Sequence, residues 1–175
     1  MTPARPPAAG ARATITTPND REIRIERIFH ASRRRVWDAL TNPTLVSQWW
    51  APGGSTLEIQ HMDVRRGGRW RFVEHGAKGA DGFGGTYRDV TPPERLMFSF
   101  QWDGMPGFEA VQTMTLEDLG DGRTRLVTVV RCRTTEERDG MLYSGMEPAV
   151  NRQYDALDRV LAHRNDEPHQ GAHGT

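Results

Sequence analysis

The first clear pattern in the chain is an alternation of apolar and charged residues that begins at residue 22. Ile23 and Ile25 alternate with arginine and glutamate, and successive side chains of a strand point to opposite faces, so this period of two predicts a first strand. Ser32 is suited to cap a helix, and apolar residues recur after it at helical spacing. Pro43 interrupts that spacing, which predicts two short helices, the first of them beginning near residue 33.

Further runs of strand-type alternation follow the two helices. Short segments rich in glycine or proline separate the runs, and such short connections join antiparallel neighbours. The predicted strands occupy residues 56–62, 69–75, 83–91, 95–102, 109–118 and 123–132. The pattern therefore predicts an antiparallel meander.

A change from strand to helical spacing marks the end of the chain. The predicted helix begins after Thr134 or Thr135, and glutamates in its first turn favour the positive end of the helix dipole. Pro148 removes a backbone donor and Gly145 eases bending, so we expect a kink between residues 143 and 147. The apolar positions, spaced by three or four, predict one face packed on a sheet. They are Leu142, Met146, Val150, Tyr154, Leu157 and Leu161.

This order of elements places the chain in the α+β class, with an antiparallel sheet and a long C-terminal helix. A length of 175 residues suits one domain with its own core. Residues 1–20 are rich in proline and lack the apolar run of a secretory signal, so we expect a disordered arm there. We assign the folded domain to residues 21–163 and a disordered tail to residues 164–175.

Composition narrows the classes of partner and the location. The chain has 23 basic and 23 acidic residues, so no overall field attracts nucleic acid or an anionic membrane, and we expect neither partner. All but one of the basic residues are arginine, and Lys78 is the exception. Cys132 stands alone and cannot form an internal disulfide, which agrees with a cytoplasmic location.

The motifs of several common chemistries are missing from the sequence. The six histidines include no helical pair that flanks a base, and one cysteine cannot build a thiolate cluster, so we expect no metal site. No nucleophile elbow, P-loop or dinucleotide fingerprint is present, so we expect no cofactor. His61 and His75 lie near strand ends, where a histidine is more often hydrogen-bonded than catalytic.

Aromatic residues share single faces of two predicted strands. Trp70, Phe72 and Glu74 alternate in one strand, and Phe98, Phe100 and Trp102 alternate in another. This wall suits either a ligand pocket or an ordinary core. Polar residues on the same strand faces help to distinguish a pocket from a core. An unpaired polar group is costly to bury in a core, so its presence on such a face favours a pocket.

The inward polar residues that we identify are Glu74 and Gln112, the latter in phase with Met114. Trp49 and Trp50 point to different sides of the second short helix. We therefore expect one of these rings in the core and the other at the mouth of a cavity.

Several motifs, taken in order and spacing, carry a family resemblance. The motifs are Trp49–Pro52, Val64–Phe72, Gly85–Leu96, Thr124–Leu126, Ser144–Glu147 and Tyr154–Leu161. Together they resemble the START-like, or SRPBCC, superfamily, and within it the bacterial branch named for the C-terminal domain of the heat-shock protein 90 ATPase activator. The resemblance covers about residues 21–163.

The resemblance implies a helix-grip fold, in which a curved antiparallel sheet of six to seven strands wraps around the long C-terminal helix and two short helices follow the first strand. In this family the cavity between sheet and helix usually holds an apolar ligand. The residues expected to line it are Trp50, Trp70, Phe72, Glu74, Phe98, Phe100, Trp102, Gln112, Met114, Met146, Val150 and Tyr154.

Three functions stay open at the level of the sequence. The first is binding of a small apolar or aromatic ligand, lipid or polyketide-like, oriented by Glu74 or Gln112. The second is regulation of a chaperone ATPase, with the chaperone as partner. The third is a cyclase, dehydratase or hydrolase reaction in which Glu74 acts as acid or base. A homodimer is the background expectation for a single-domain protein.

Overall fold

The computed structural model describes residues 12–165, without the side chains of the last two. Eight strands and four α-helices follow one another along this part of the chain. The strands are β1 (Thr14–Asn19), β2 (Glu22–Phe29), β3 (Thr56–Met62), β4 (Arg69–Gly76), β5 (Gly79–Thr91), β6 (Arg95–Trp102), β7 (Ala110–Gly120) and β8 (Arg123–Arg131). The helices are α1 (Arg33–Thr41), α2 (Pro43–Trp49), α3 (Thr135–Met141) and α4 (Glu147–Asn165), and a π-helical segment (Leu142–Met146) joins α3 to α4.

The strands form one curved, unclosed antiparallel sheet. Their order across the sheet is β1-β2-β8-β7-β6-β5-β4-β3, so β3 through β8 are consecutive neighbours and β2 pairs with β8. The α+β class and the helix-grip architecture predicted from the sequence are confirmed. The sheet has one strand more than the upper number predicted.

The additional strand is β1, which pairs with β2. It lies inside the segment 1–20 that the sequence predicted to be a disordered arm, so that prediction is wrong for residues 14–19. Ile15 and its threonine neighbours are β-branched, and they find a partner only in the edge of β2. The Ala13 backbone N–H also donates to Asn151 Oδ1 at 2.9 Å, which ties this end of the chain to α4. Residues 1–11 and 166–175, the rest of the predicted arm and most of the predicted tail, lie outside the described residues.

Side-chain caps begin the two short helices. Ser32 Oγ accepts from the Arg35 backbone N–H at 3.3 Å at the start of α1. Asn42 ends α1 and caps α2 by accepting from the Thr44 N–H at 2.9 Å, while Pro43 occupies the first turn, where its missing donor costs nothing. Asn42 therefore ends α1 and starts α2 with no further residue between the two helices.

The C-terminal helical region bends at the predicted place. Gly145 in the π-helical segment has a φ of 86°, which breaks the regular helix between α3 and α4. Pro148 falls in the first turn of α4 and therefore interrupts no helical hydrogen bond. None of the helices in residues 12–165 has the length and apolar character needed to cross a bilayer.

Helix α4 lies across the concave face of the sheet and also contacts α1 and α2. Its buried residues, which include Leu157 and Leu161, pack with Phe29 of β2 and Val36 of α1 into one hydrophobic core. The same core takes in Trp70 and Phe72 of β4. Between the sheet and the helices it leaves a space that is not filled.

Candidate ligand-binding cavity

The unfilled space is a cavity of about 420 Å³ between the concave face of the sheet and the helices. Strands β2 to β8 provide one wall, and the helices with the π-helical segment provide the other, mainly through α2 and the first turns of α4. The sequence positions these walls because each inward face of a strand carries one period-two set of side chains. The α4 face that opposes them is the apolar stripe of the helix.

Trp70 stands at the centre of the aromatic wall. Its ring centroid lies 5.0 Å from that of Phe72, 5.6 Å from Phe98 and 5.9 Å from Phe100. The indole N–H of Trp70 donates to the Ser99 carbonyl oxygen at 3.1 Å, which fixes the ring plane. The wall is therefore held in place before any ligand arrives.

Trp50 extends the aromatic wall from the helical side. Its ring lies 4.8 Å from Phe83 and 5.5 Å from Phe72, in edge-to-face geometry. Trp49 is buried, and its indole N–H donates to the Ala39 carbonyl at 2.8 Å. Trp49 belongs to the core and also lines the cavity, together with half-buried Trp50. A position of Trp50 at the cavity mouth stays a prediction.

The structure brings all twelve predicted site residues to the wall of this cavity. Trp70, Phe72, Met146 and Tyr154 are buried, and the other eight are half-buried. Their position is thus a structural fact, while their contact with a ligand remains a prediction.

The two predicted polar groups of the cavity wall have no partner among the described residues. Glu74 and Gln112 are both half-buried, and within residues 12–165 neither side chain has a hydrogen-bond partner. Such groups are available to hydrogen-bond with water or with a ligand in the cavity.

A buried pair of hydroxyl groups also faces the cavity. The Tyr154 hydroxyl and Thr128 Oγ1 lie 3.3 Å apart, and burial raises the pKa of Tyr154 above its usual value of 10.0. Burial raises the pKa of Tyr87 as well, with the charge of Asp63 as a smaller cause. Both phenols therefore stay protonated at neutral pH.

Sequence reasoning missed several residues of the cavity wall. Asp81 and Phe83 lie in β5, which begins at Gly79, whereas the predicted strand began at residue 83 and the glycine-rich stretch before it was interpreted as a connection. The available signal was the period of two that places Phe83 in phase with Gly85 and Tyr87. Gly85 is required there, because a Cβ at this position would lie 1.9 Å from the Ser99 carbonyl oxygen.

Other reactive groups lie away from the cavity. Within residues 12–165, no cluster of three histidine, cysteine or acidic residues is arranged to hold a metal ion. Cys132 is buried at the end of β8, and burial raises its pKa to about 11, so the thiol is not poised as a nucleophile.

Solved structures share this architecture. A crystal structure of a protein from Rhodobacter sphaeroides aligns with a TM-score of 0.81 at 29% identity, covering 87% of this chain and 99% of that one. A crystal structure of protein Ms6760 from Mycobacterium smegmatis gives a TM-score of 0.77 at 19% identity, with 85% and 96% covered. A solution structure of an Arthrobacter aurescens protein also gives 0.77, at 20% identity and with 93% and 98% covered.

Comparison with the curated proteins gives no match. A family model does match, over residues 30–162, and its description is "Activator of Hsp90 ATPase homolog 1-like protein". The matched range runs from the residue after β2 to the last turns of α4 and includes every lining residue of the cavity except Ile25 of β2. The chain therefore belongs to the Activator of Hsp90 ATPase homolog 1-like family, within the SRPBCC superfamily that the sequence motifs indicated.

Proposed function

We propose that this protein binds a small apolar or aromatic molecule in the cavity between the sheet and α4. The observation that carries the proposal is the cavity of about 420 Å³ with a wall of aromatic rings. Ligand pockets in proteins occupy roughly 300–1,000 Å³ and are mostly apolar with a few polar groups. The SRPBCC fold commonly binds hydrophobic ligands, which supports the same proposal.

Different residues of the cavity wall supply the affinity for the ligand and its orientation. Burial of ligand surface against Trp50, Trp70 and Phe100 supplies affinity, at about 25 cal/mol per Å² of apolar area. Glu74 and Gln112 supply orientation through hydrogen bonds. The wall is preorganised by ring contacts and by the Trp70 hydrogen bond, so little ordering is needed on binding.

The first experiment is native mass spectrometry of protein purified from its own host, compared with a denatured sample. We expect a stoichiometric small molecule that denaturation releases. Titration with a neutral probe, 1-naphthylmethanol, followed by tryptophan fluorescence, then measures affinity for the protein freed of that molecule.

A variant pair tests the cavity directly. We expect Phe100→Ala to weaken binding of 1-naphthylmethanol roughly threefold to tenfold, because the ring contacts both Trp70 and Phe83 in the wall. Tyr143→Ala is the matched control, since this ring is 81% exposed and lies outside the cavity. Equal affinities of the two variants, or an absence of binding by the parent protein, would contradict the proposal.

The description of the matched family supports a second candidate function. Its model carries the name of an Hsp90 ATPase activator, so stimulation of a chaperone ATPase is a specific alternative. The test is a chaperone ATPase assay with and without saturating protein. An unchanged rate would remove this candidate.

A further inference from the structure

The charged residues of the cavity wall are all acidic. Among the described residues that line it, Glu74 and Asp81 alone carry a formal charge, and arginine, lysine and histidine are absent. The chain as a whole has equal numbers of basic and acidic residues, so this bias belongs to the cavity. A ligand therefore enters a cavity whose formally charged groups are all negative.

The register of the sheet places the two carboxylates side by side. Half-buried Glu74 of β4 is directly opposite Asp81 of β5, whose side chain is exposed at the end of the cavity. Directly opposite residues in an antiparallel pair have Cβ atoms about 4.5–5.5 Å apart, and like charges at this spacing repel each other. A positive group between the two carboxylates would relieve this repulsion.

The protein's own cations do not neutralise this pair. Within residues 12–165 neither Glu74 nor Asp81 forms an ion pair, although Arg71 lies in the same strand as Glu74. Arg71 alternates with Phe72 and Glu74, faces the other side of β4, and donates to both carboxylate oxygens of Asp103 at 2.9 and 2.6 Å. Lys78 in the turn between β4 and β5 is exposed and forms no ion pair within the same residues.

Aromatic rings surround the acidic end of the cavity. The indole N–H of Trp102 donates to Asp81 Oδ1 at 2.8 Å. Phe72 precedes Glu74 on the same strand face and is directly opposite Phe83. The face of an aromatic ring attracts a cation, and tryptophan does so best. The same region thus offers two carboxylates and neighbouring aromatic rings to one positive group.

We infer that the ligand of this cavity is an organic cation, a hydrophobic amine whose ammonium group lies at Glu74 and Asp81 and whose apolar body lies among the rings. The inference rests on the proposed function, because it names the class of ligand that the same cavity takes. A fatty acid or another apolar anion would bring a third negative charge to this end, where the wall has no basic residue to receive it.

Three probes with the same apolar body and different charge test the inference. They are 1-naphthylmethylamine, 1-naphthylmethanol and 1-naphthoic acid, titrated at pH 7 by calorimetry, where the amine is cationic and the acid anionic. We expect the amine to bind on the order of tenfold more tightly than the alcohol, and the acid to bind most weakly. We also expect the preference for the amine to shrink at high salt.

Two double variants test whether Glu74 and Asp81 cause the preference for the amine over the alcohol. We expect E74Q/D81N to lose the preference, so that it binds the amine no more tightly than the alcohol. The double variant D20N/E136Q removes the same charge from two exposed carboxylates outside the cavity and should keep the preference. Circular dichroism and thermal melting establish that both variants are folded.

The outcomes separate this inference from the proposed function. If the alcohol binds but the amine is not preferred, or the preference survives in E74Q/D81N, the cationic ligand is refuted and the apolar cavity stands. If none of the three probes binds the parent protein, the proposed function fails and the inference fails with it.

Discussion

At the scale of single residues, the burial of Cys132 has a measurable consequence. Its side chain is almost fully enclosed at the end of β8, and its backbone N–H donates to the Arg21 carbonyl at 2.8 Å. Burial, with a smaller contribution from the charge of Glu137, raises the pKa of the thiol from 9.0 to about 11. The folded protein therefore keeps the thiol proton of Cys132 at pH values where the unfolded chain has already released it.

The sign of the resulting pH dependence follows from proton linkage. Between about pH 9 and pH 11 the unfolded state binds fewer protons than the folded state, so the free energy of unfolding falls as the pH rises. One proton contributes a slope of up to about 1.4 kcal/mol per pH unit. We expect urea titrations to show a steeper loss of stability in the parent protein than in Cys132→Ala over this range.

Tyr87 and Tyr154, whose pKa values burial also raises, lower the stability of both proteins alike above pH 10. The difference between the two curves is therefore the contribution of Cys132. Parallel curves from pH 8 to pH 11 would show that the thiol ionises equally in both states.

The cavity residues that sequence analysis found are those that follow a local period, either the period of two of a strand or the helical spacing of the last helix. Glu74 was found because it follows Trp70 and Phe72 at a spacing of two. Asp81 was not found, because its place opposite Glu74 depends on the register of a hairpin that begins inside a glycine-rich stretch. Thr128 was not found either, since a threonine in a strand gives no sign that its hydroxyl meets Tyr154.

At the scale of secondary-structure elements, the bend between α3 and α4 decides where the cavity ends. Ser144, Gly145 and Met146 of the π-helical segment all contribute to the cavity wall. A straight helix through this region would present a different set of side chains to the sheet. The positive φ of Gly145 is what permits the bend.

Substitution of Gly145 tests this role. A Cβ at Gly145 meets nothing within 4 Å, so the cost of Gly145→Ala comes from the left-handed backbone alone. We expect a loss of about 1–2 kcal/mol in the free energy of unfolding, measured by urea denaturation.

Gly140→Ala is the matched control for the same measurement. Gly140 lies in regular helix α3, and its Cβ would make only an ordinary contact with Met105 at 3.8 Å, so we expect a gain of about 0.5–1 kcal/mol. Gly145→Ala at or above the parent stability would show that the segment adopts another conformation without loss.

Elements were predicted well where their signal is local. Alternation between glycine or proline boundaries located seven of the eight strands, and Gly145 marked the bend. Strand β1 was missed because its pairing partner, β2, and the contact of Ala13 with Asn151 both lie outside its own sequence. Local patterns carry no information about such contacts.

At the scale of the whole molecule, Arg27 connects the sheet to α4. Its side chain is 2% exposed, and it donates to Asp155 Oδ1 at 2.9 Å and lies 3.6 Å from Asp158. Its guanidinium also lies 5.2 Å from the centre of the Phe29 ring. Its Nε has no hydrogen-bond partner within residues 12–165.

Because the guanidinium is imperfectly satisfied, we expect its packing to matter more than its charge. Arg27→Ala should lower the free energy of unfolding by about 3 kcal/mol, since it leaves a cavity beneath α4. Arg27→Met fills most of that volume and should stay within about 1 kcal/mol of the parent protein.

Arg24→Ala removes the outward-facing arginine of the Arg24–Glu26 pair and should change the free energy of unfolding by less than about 1 kcal/mol. All three variants are compared by urea denaturation at pH 7. Equal losses in Arg27→Met and Arg27→Ala would assign the stabilisation to the ion pairs instead.

The turn between β4 and β5 provides a site for selective chemical labelling. Lys78 is the chain's one lysine, it is exposed, and it stands three residues before Asp81 at the acidic end of the cavity. An amine-reactive fluorophore therefore has one side-chain target in the whole protein, apart from the terminal amino group. A dye attached there would report ligand entry by its change in emission, without the introduction of a cysteine.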